Sequence, residues 1–138
     1  MATLITVQSR QAGPTTLEAS IRSHRVMVDR PEAKGGADRG PMGGELLLAA
    51  LGGCFASTLF AAVAARQADV RDVEVTIVGT LEEHPSRFSA VALTVAATTG
   101  DADAFERLVT LAERGCIVAN TLRGAVDLRV EAVARTPA

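Results

Sequence analysis

From Leu46 to Ala65 the chain runs for twenty residues without a charge. The stretch is mostly Leu and Ala, interrupted by Gly52, Gly53, Cys54, Ser57 and Thr58. A run of this length and composition predicts one long helix that is covered on most sides. It is long enough to span a bilayer, but its Ala, Gly, Ser and Thr content keeps the transfer energy modest. A helix at the centre of a folded domain therefore accounts for it better than a membrane span. Glu45 at one end and Arg66 at the other suit the helix dipole, which sets the predicted helix at Glu45 to about Gln67.

The flanking sequence alternates in the manner of strands. Residues 3–8 and 17–29 read as strands with a Gly13-Pro14 turn between them, and Ile21, Val26 and Val28 are the inward candidates. Residues 30–44 carry Pro31, Gly35, Gly36, Gly40, Pro41, Gly43 and Gly44 and read as a long loop. After the helix, Val70 to Leu81 and Phe88 to Ala97 read as a hairpin, with Val73, Val75 and Ile77 on one face. Asp101 and Asp103 are N-cap candidates for a helix to about Arg114, with Phe105, Leu108 and Leu111 as its apolar face and Gly115 as its stop. A short helix from Ile117 to Arg123, ended by Gly124, and a last strand from Val126 to Ala134 complete the order. The fold class expected is α+β with largely antiparallel sheets and no βαβ unit, as a single domain over residues 1–138.

Net charge is -2, and the basic residues, thirteen arginines and one lysine, are scattered, which argues against nucleic acid as a partner. The N-terminus lacks a basic segment followed by an apolar one, so the expected location is cytoplasmic. Two cysteines are too few for a disulfide scaffold. With His24 and His84 they lack the short ligand spacings of a metal site, and no phosphate-loop or dinucleotide motif is present, so no metal and no cofactor is expected.

What remains chemically distinctive is the pair of thiols, Cys54 inside the apolar run and Cys116 at a helix junction. Cys116 has the better local case for reactivity, because amides at a helix start stabilise a thiolate. Cys54, in mid-helix among Leu and Ala, is expected to have a raised pKa and to be inert unless a cation reaches it. Both could instead be core thiols. Glu45 lies nine residues before Cys54, on the opposite side of a helix and roughly 13 Å along its axis, so within one helix it cannot touch that sulfur. It could reach the Cys54 of another subunit, hold an arginine that does, or serve only as a helix-terminal charge. Arg39, in the loop before the helix, is the arginine closest in sequence to the helix start and the favoured candidate to steady a thiolate. A hydrolase built on one cysteine would need a histidine near sulfur, and neither histidine is placed to serve.

The run Gly35-Gly36-Ala37-Asp38-Arg39-Gly40-Pro41, then Glu45-Leu46-Leu47-Leu48-Ala49-Ala50-Leu51-Gly52-Gly53-Cys54, then Cys116 with Val118 and Leu122, resembles the OsmC/Ohr family from about residue 17 onward. The resemblance implies a small α+β fold with a long central helix, an intertwined homodimer and active sites at the subunit interface. It implies a thiol peroxidase for organic hydroperoxides: Cys54 attacks and becomes a sulfenic acid, Cys116 resolves it as a disulfide, and a dithiol or a lipoylated protein reduces that disulfide. Arg39 and Glu45 would be a supporting pair. The sequence departs from the hydroperoxide-resistance pattern at three points. Gly44 stands where that branch has a glutamate, Gly43 where a second proline is usual, and Ile117 where proline usually follows the second cysteine. A second reading accommodates these departures: a non-catalytic dimer that binds a small apolar ligand at its interface.

Overall fold

The computed structural model describes residues 1–138. The chain divides into two compact units, Met1–Leu47 and Leu48–Ala138. The boundary falls in the first turns of the long helix.

The first unit is a three-stranded antiparallel meander of β1 (Gln8–Gln11), β2 (Leu17–Ile21) and β3 (His24–Val28), in that order across the sheet. Two strand predictions change. Residues 3–7 are not in a strand: β1 begins where Gln8 pairs with Ser20, and β2 ends one residue later at Ile21, so the preceding residues have no partner. The stretch 17–29 is two strands, because Ile21 pairs with His24 across a two-residue turn in which Arg22 has φ 54°. That conformation usually goes to glycine or asparagine, so the sequence carries no signal for this turn. The loop after β3 contains a single turn of 3₁₀ helix at Glu32–Lys34.

Asp29 organises this unit. Its carboxylate accepts hydrogen bonds from the hydroxyls of Thr15 (2.9 Å) and Thr16 (2.8 Å) and from the amides of Arg30 (2.7 Å) and Arg39 (3.2 Å). Burial alone would raise its pKa; the donors, led by Thr16, outweigh burial and hold it well below the usual carboxylate range. A carboxyl favoured as the anion in the fold stabilises it above the unfolded-state pKa, near 3.8, and loses that contribution as pH falls below it. Asp29→Asn is therefore expected to lower thermal stability at neutral pH and to flatten the acid limb of the melting-temperature profile. An acid limb identical to that of the parent protein would overturn this assignment.

The long helix α1 spans Gly43–Arg66. Its start is a half capping box: the Met42 carbonyl accepts from Leu46 N–H at 3.0 Å, and Glu45 Oε1 reaches back to the Met42 N–H at 2.9 Å. It ends where Gln67 turns left-handed (φ 51°) and the Ala68 N–H closes on the Val63 carbonyl at 3.0 Å. Leu51, Phe55 and Leu59, spaced by four, form its fully buried stripe. By length and composition it could cross a membrane; here that stripe belongs to the apolar core of the second unit.

The rest of the second unit is β4 (Val70–Glu82), β5 (Arg87–Thr99), α2 (Ala102–Gly115), α3 (Ile117–Leu122) and β6 (Asp127–Arg135). β4 and β5 form the predicted antiparallel hairpin. β6 lies on the other side of β5 and runs parallel to it, so β5, the two helices and β6 make a β-α-β crossover, contrary to the expected pattern. The inward residues align in rows across all three strands, Val75–Val95–Ala132 and Ile77–Leu93–Val130. Gly52 lets α1 lie close on these rows: a Cβ there would come within 2.5 Å of the Ile77 terminal methyl. On α2, Asp101 is the N-cap, accepting from Ala104 N–H at 3.0 Å. Its buried face is Phe105, Leu108, Val109 and Ala112, while Leu111, predicted inward, is exposed.

Candidate active site

Cys54 and Cys116 belong to the second unit, where each thiol is near enough to shift the ionisation of the other. Cys54 is carried on α1, one residue before the buried Phe55, and is half-buried; Cys116 is fully buried at the junction of α2 and α3. Neither forms a disulfide. Cys116 is at once the C-cap of α2 and the N-cap of α3, in an extended conformation (φ -80°, ψ 114°). Gly115, predicted as a left-handed stop, is the last residue of α2. A Cβ on it would stand 3.1 Å from the Thr58 methyl, so its missing side chain lets the junction approach α1 one turn beyond Cys54.

The electrostatics reverse the sequence-based expectation. Burial pushes the Cys54 thiol up, but the Val118 amide, the Cys116 thiol and the Ile117 amide donate toward its sulfur and bring its pKa below the ordinary thiol value. Cys116 moves the other way. Burial raises it most, the Ala119 amide opposes that at 3.4 Å from sulfur, and a neighbouring Cys54 anion raises it further. The first-turn amides of α3 were expected to activate Cys116, their own N-cap. Those of Val118 and Ile117 lower the Cys54 pKa instead. The donors lie more than sixty residues away in sequence, so no local pattern could have announced them.

Arg39 and Glu45 lie in the first unit and make their hydrogen bonds within it. The Arg39 guanidinium donates to the Ala12 carbonyl at 2.8 Å and its amide to Asp29. Glu45 holds the Met42 amide at the start of α1.

Two neighbouring cysteines, one on α1 and one at the α2–α3 junction, in a unit built on a three-stranded mixed sheet, mark a small α+β protein with a pair of free thiols. The comparisons with known proteins are more specific. The sequence profile of the OsmC-like protein family matches residues 35–131, and the chain belongs to that family. Among solved structures, a hypothetical protein from Aquifex aeolicus VF5 superposes with a TM-score of 0.86 at 17% identity, covering 99% of this chain and 100% of that one. An OsmC-like protein from Mycoplasma pneumoniae gives 0.82 at 14% identity, covering 100% of both chains. An organic hydroperoxide resistance protein from Elizabethkingia anophelis gives 0.76 at 20% identity, covering 98% and 100%. At these identities the likeness is one of fold. No curated protein matches the sequence.

Proposed function

We propose that the chain is a thiol peroxidase that reduces organic hydroperoxides. What supports this reading is the proximity of Cys54 and Cys116, each shifting the ionisation of the other, with the Cys54 pKa lowered and the Cys116 pKa raised. A peroxidatic pair needs one sulfur as a ready anion and a second within reach of it. In the first step the Cys54 thiolate attacks the peroxide, the O–O bond breaks, the alcohol leaves with a proton, and Cys54 becomes a sulfenic acid. In the second step the Cys116 sulfur attacks the sulfenic sulfur, expelling water and leaving a Cys54–Cys116 disulfide. A dithiol, free or as a lipoyl group on a protein, then returns both thiols and is itself oxidised.

Membership of the family and the name carried by the Elizabethkingia protein support the substrate class. The working form in this reading is a cytoplasmic homodimer. Phe60 and Ile117, exposed at 54% and 70% in the single chain, are apolar surface for a second copy to cover. Arg39 and Glu45 would act across that interface, on the partner's Cys54.

A free-thiol titration with intact mass, before and after one equivalent of cumene hydroperoxide or hydrogen peroxide, tests the proposal. Loss of two thiols and about 2 Da, faster with the organic peroxide, is the expected result. Thiols that survive, or oxidation indifferent to the peroxide, would reject it in favour of a non-catalytic dimer with an apolar ligand.

A further inference from the structure

The carbonyls that end a helix need donors from beyond it. In α2 the Glu113 carbonyl accepts from the Cys116 N–H at 3.3 Å, and the Arg114 carbonyl accepts from the Asn120 side-chain amide at 3.0 Å. Asn120 lies in α3, so the second bond crosses the junction. Beside it the Arg123 guanidinium donates to Glu113 Oε2 at 3.1 Å and to Asn120 Oδ1 at 3.5 Å. Cys116 is the pivot under this tie. Its N–H bonds back into α2, while its sulfur accepts from the Ala119 N–H at 3.4 Å and its carbonyl from the Asn120 N–H at 3.0 Å, both in α3. The sulfur therefore travels with α3, and its direction follows the angle between the two helices. The junction also stands against α1: a Cβ on Gly115 would lie 3.1 Å from the Thr58 methyl, and the Thr58 hydroxyl donates to the Cys54 carbonyl at 3.0 Å.

We propose that Asn120 is a positioning residue of the thiol pair: by tying α3 to the last turn of α2, its side chain fixes the direction in which the Cys116 sulfur meets Cys54. This role rests on the peroxidase reading, in which the two cysteines form a disulfide. In the resolving step the Cys116 sulfur bonds to the Cys54 sulfenic sulfur, the S–O bond breaks, and water leaves with the Cys116 proton. Closing a ring of this kind gains in rate and in equilibrium from orientation. Without the tie the pivot is freer, the sulfur spreads over more directions, and both gains shrink.

Asn120→Ala removes the tie. Thr121→Ala, one residue on, is the control: it deletes a hydrogen bond inside α3, from the Thr121 hydroxyl to the Ile117 carbonyl at 2.8 Å, and leaves the bonds to α2 in place. Each reduced protein is equilibrated with mixtures of glutathione and glutathione disulfide. The glutathione disulfide takes two electrons from the cysteine pair and becomes two thiols, and intact mass counts the Cys54–Cys116 disulfide formed. Asn120→Ala is expected to lower the equilibrium constant for that disulfide about fivefold, the worth of one hydrogen bond, and Thr121→Ala to leave it within about twofold. Quenched flow with cumene hydroperoxide is expected to show sulfenic acid forming on Cys54 at the parent rate in Asn120→Ala, with the following disulfide step slowed by a similar factor. An unmoved equilibrium in Asn120→Ala, or an equal loss in Thr121→Ala, overturns the proposal. If circular dichroism shows that the alanine variant does not fold, Asn120→Asp is read by the same criterion: its carboxylate keeps an acceptor for Arg123 and cannot donate to the Arg114 carbonyl. A parent protein that forms the disulfide with glutathione disulfide but ignores the peroxide would remove the peroxidase reading and leave the positioning role to the equilibrium. An unmoved equilibrium with normal peroxide turnover would remove this inference alone.

Discussion

Cys54→Ser is expected to lower kcat/KM for an organic hydroperoxide at least about a thousandfold, because an alkoxide is not accessible where a thiolate is. Cys116→Ser is expected to fail differently. It should consume about one equivalent of peroxide, stop, and leave a sulfenic acid on Cys54 that a dimedone-type probe can trap. The reason lies in the opposed environments of the two sulfurs. The Val118 and Ile117 amides and the Cys116 thiol lower the Cys54 pKa against its burial, while burial and the neighbouring Cys54 raise that of Cys116, so Cys54 is the expected first nucleophile. After oxidation the anion is gone, the strain on ionising Cys116 eases, and the resolving sulfur can attack. Stopped-flow consumption of cumene hydroperoxide, with trapping and intact mass, separates the two variants. A Cys54→Ser protein that retains turnover would remove the nucleophile assignment, and a Cys116→Ser protein that turns over at the parent rate with a dithiol would remove the resolving role.

The second large effect concerns the scaffold. Phe55, next in sequence to Cys54, is fully buried in the core formed with β5 and α2. Phe55→Ala is expected to lower the unfolding free energy by about 3–5 kcal/mol, the usual cost of losing a buried phenyl ring together with the cavity it leaves. Domains of this size have about 5–15 kcal/mol in hand, so the variant should be marginal at growth temperature. Urea unfolding followed by circular dichroism gives the number. A loss below about 1 kcal/mol would mean that the Leu51, Phe55, Leu59 stripe does not pack into the core as described.

The parts of this molecule that were legible from sequence are those whose signal is local. The β4–β5 hairpin, the Asp101 cap and the uncharged helix were visible because alternation, capping and hydrophobic runs are written within a few residues. The direction of β6 was not visible: Val126, Leu128, Val130 and Ala132 tell which face is inward and say nothing about which way the strand runs. The turn at Arg22 was hidden because a residue with a long side chain holds a conformation that glycine or asparagine usually marks. At the site, both cysteines could be picked out by their neighbours, and the resemblance implied that Cys54 attacks first, but local helix position alone favoured Cys116. The groups that lower the Cys54 pKa, on Val118, Cys116 and Ile117, are separated from it along the chain by the β4–β5 hairpin and α2.

That separation shapes how the two redox forms differ. A bond between Cys54 and Cys116 would close a ring of more than sixty residues containing β4, β5 and α2 and leaving β6 outside. A covalent ring of that length removes conformational freedom from the unfolded chain amounting to about 4 kcal/mol. The oxidised protein would thus be a topologically locked form and the reduced one an open chain of the same shape, so each reaction cycle would alternately fasten and release the scaffold that performs it.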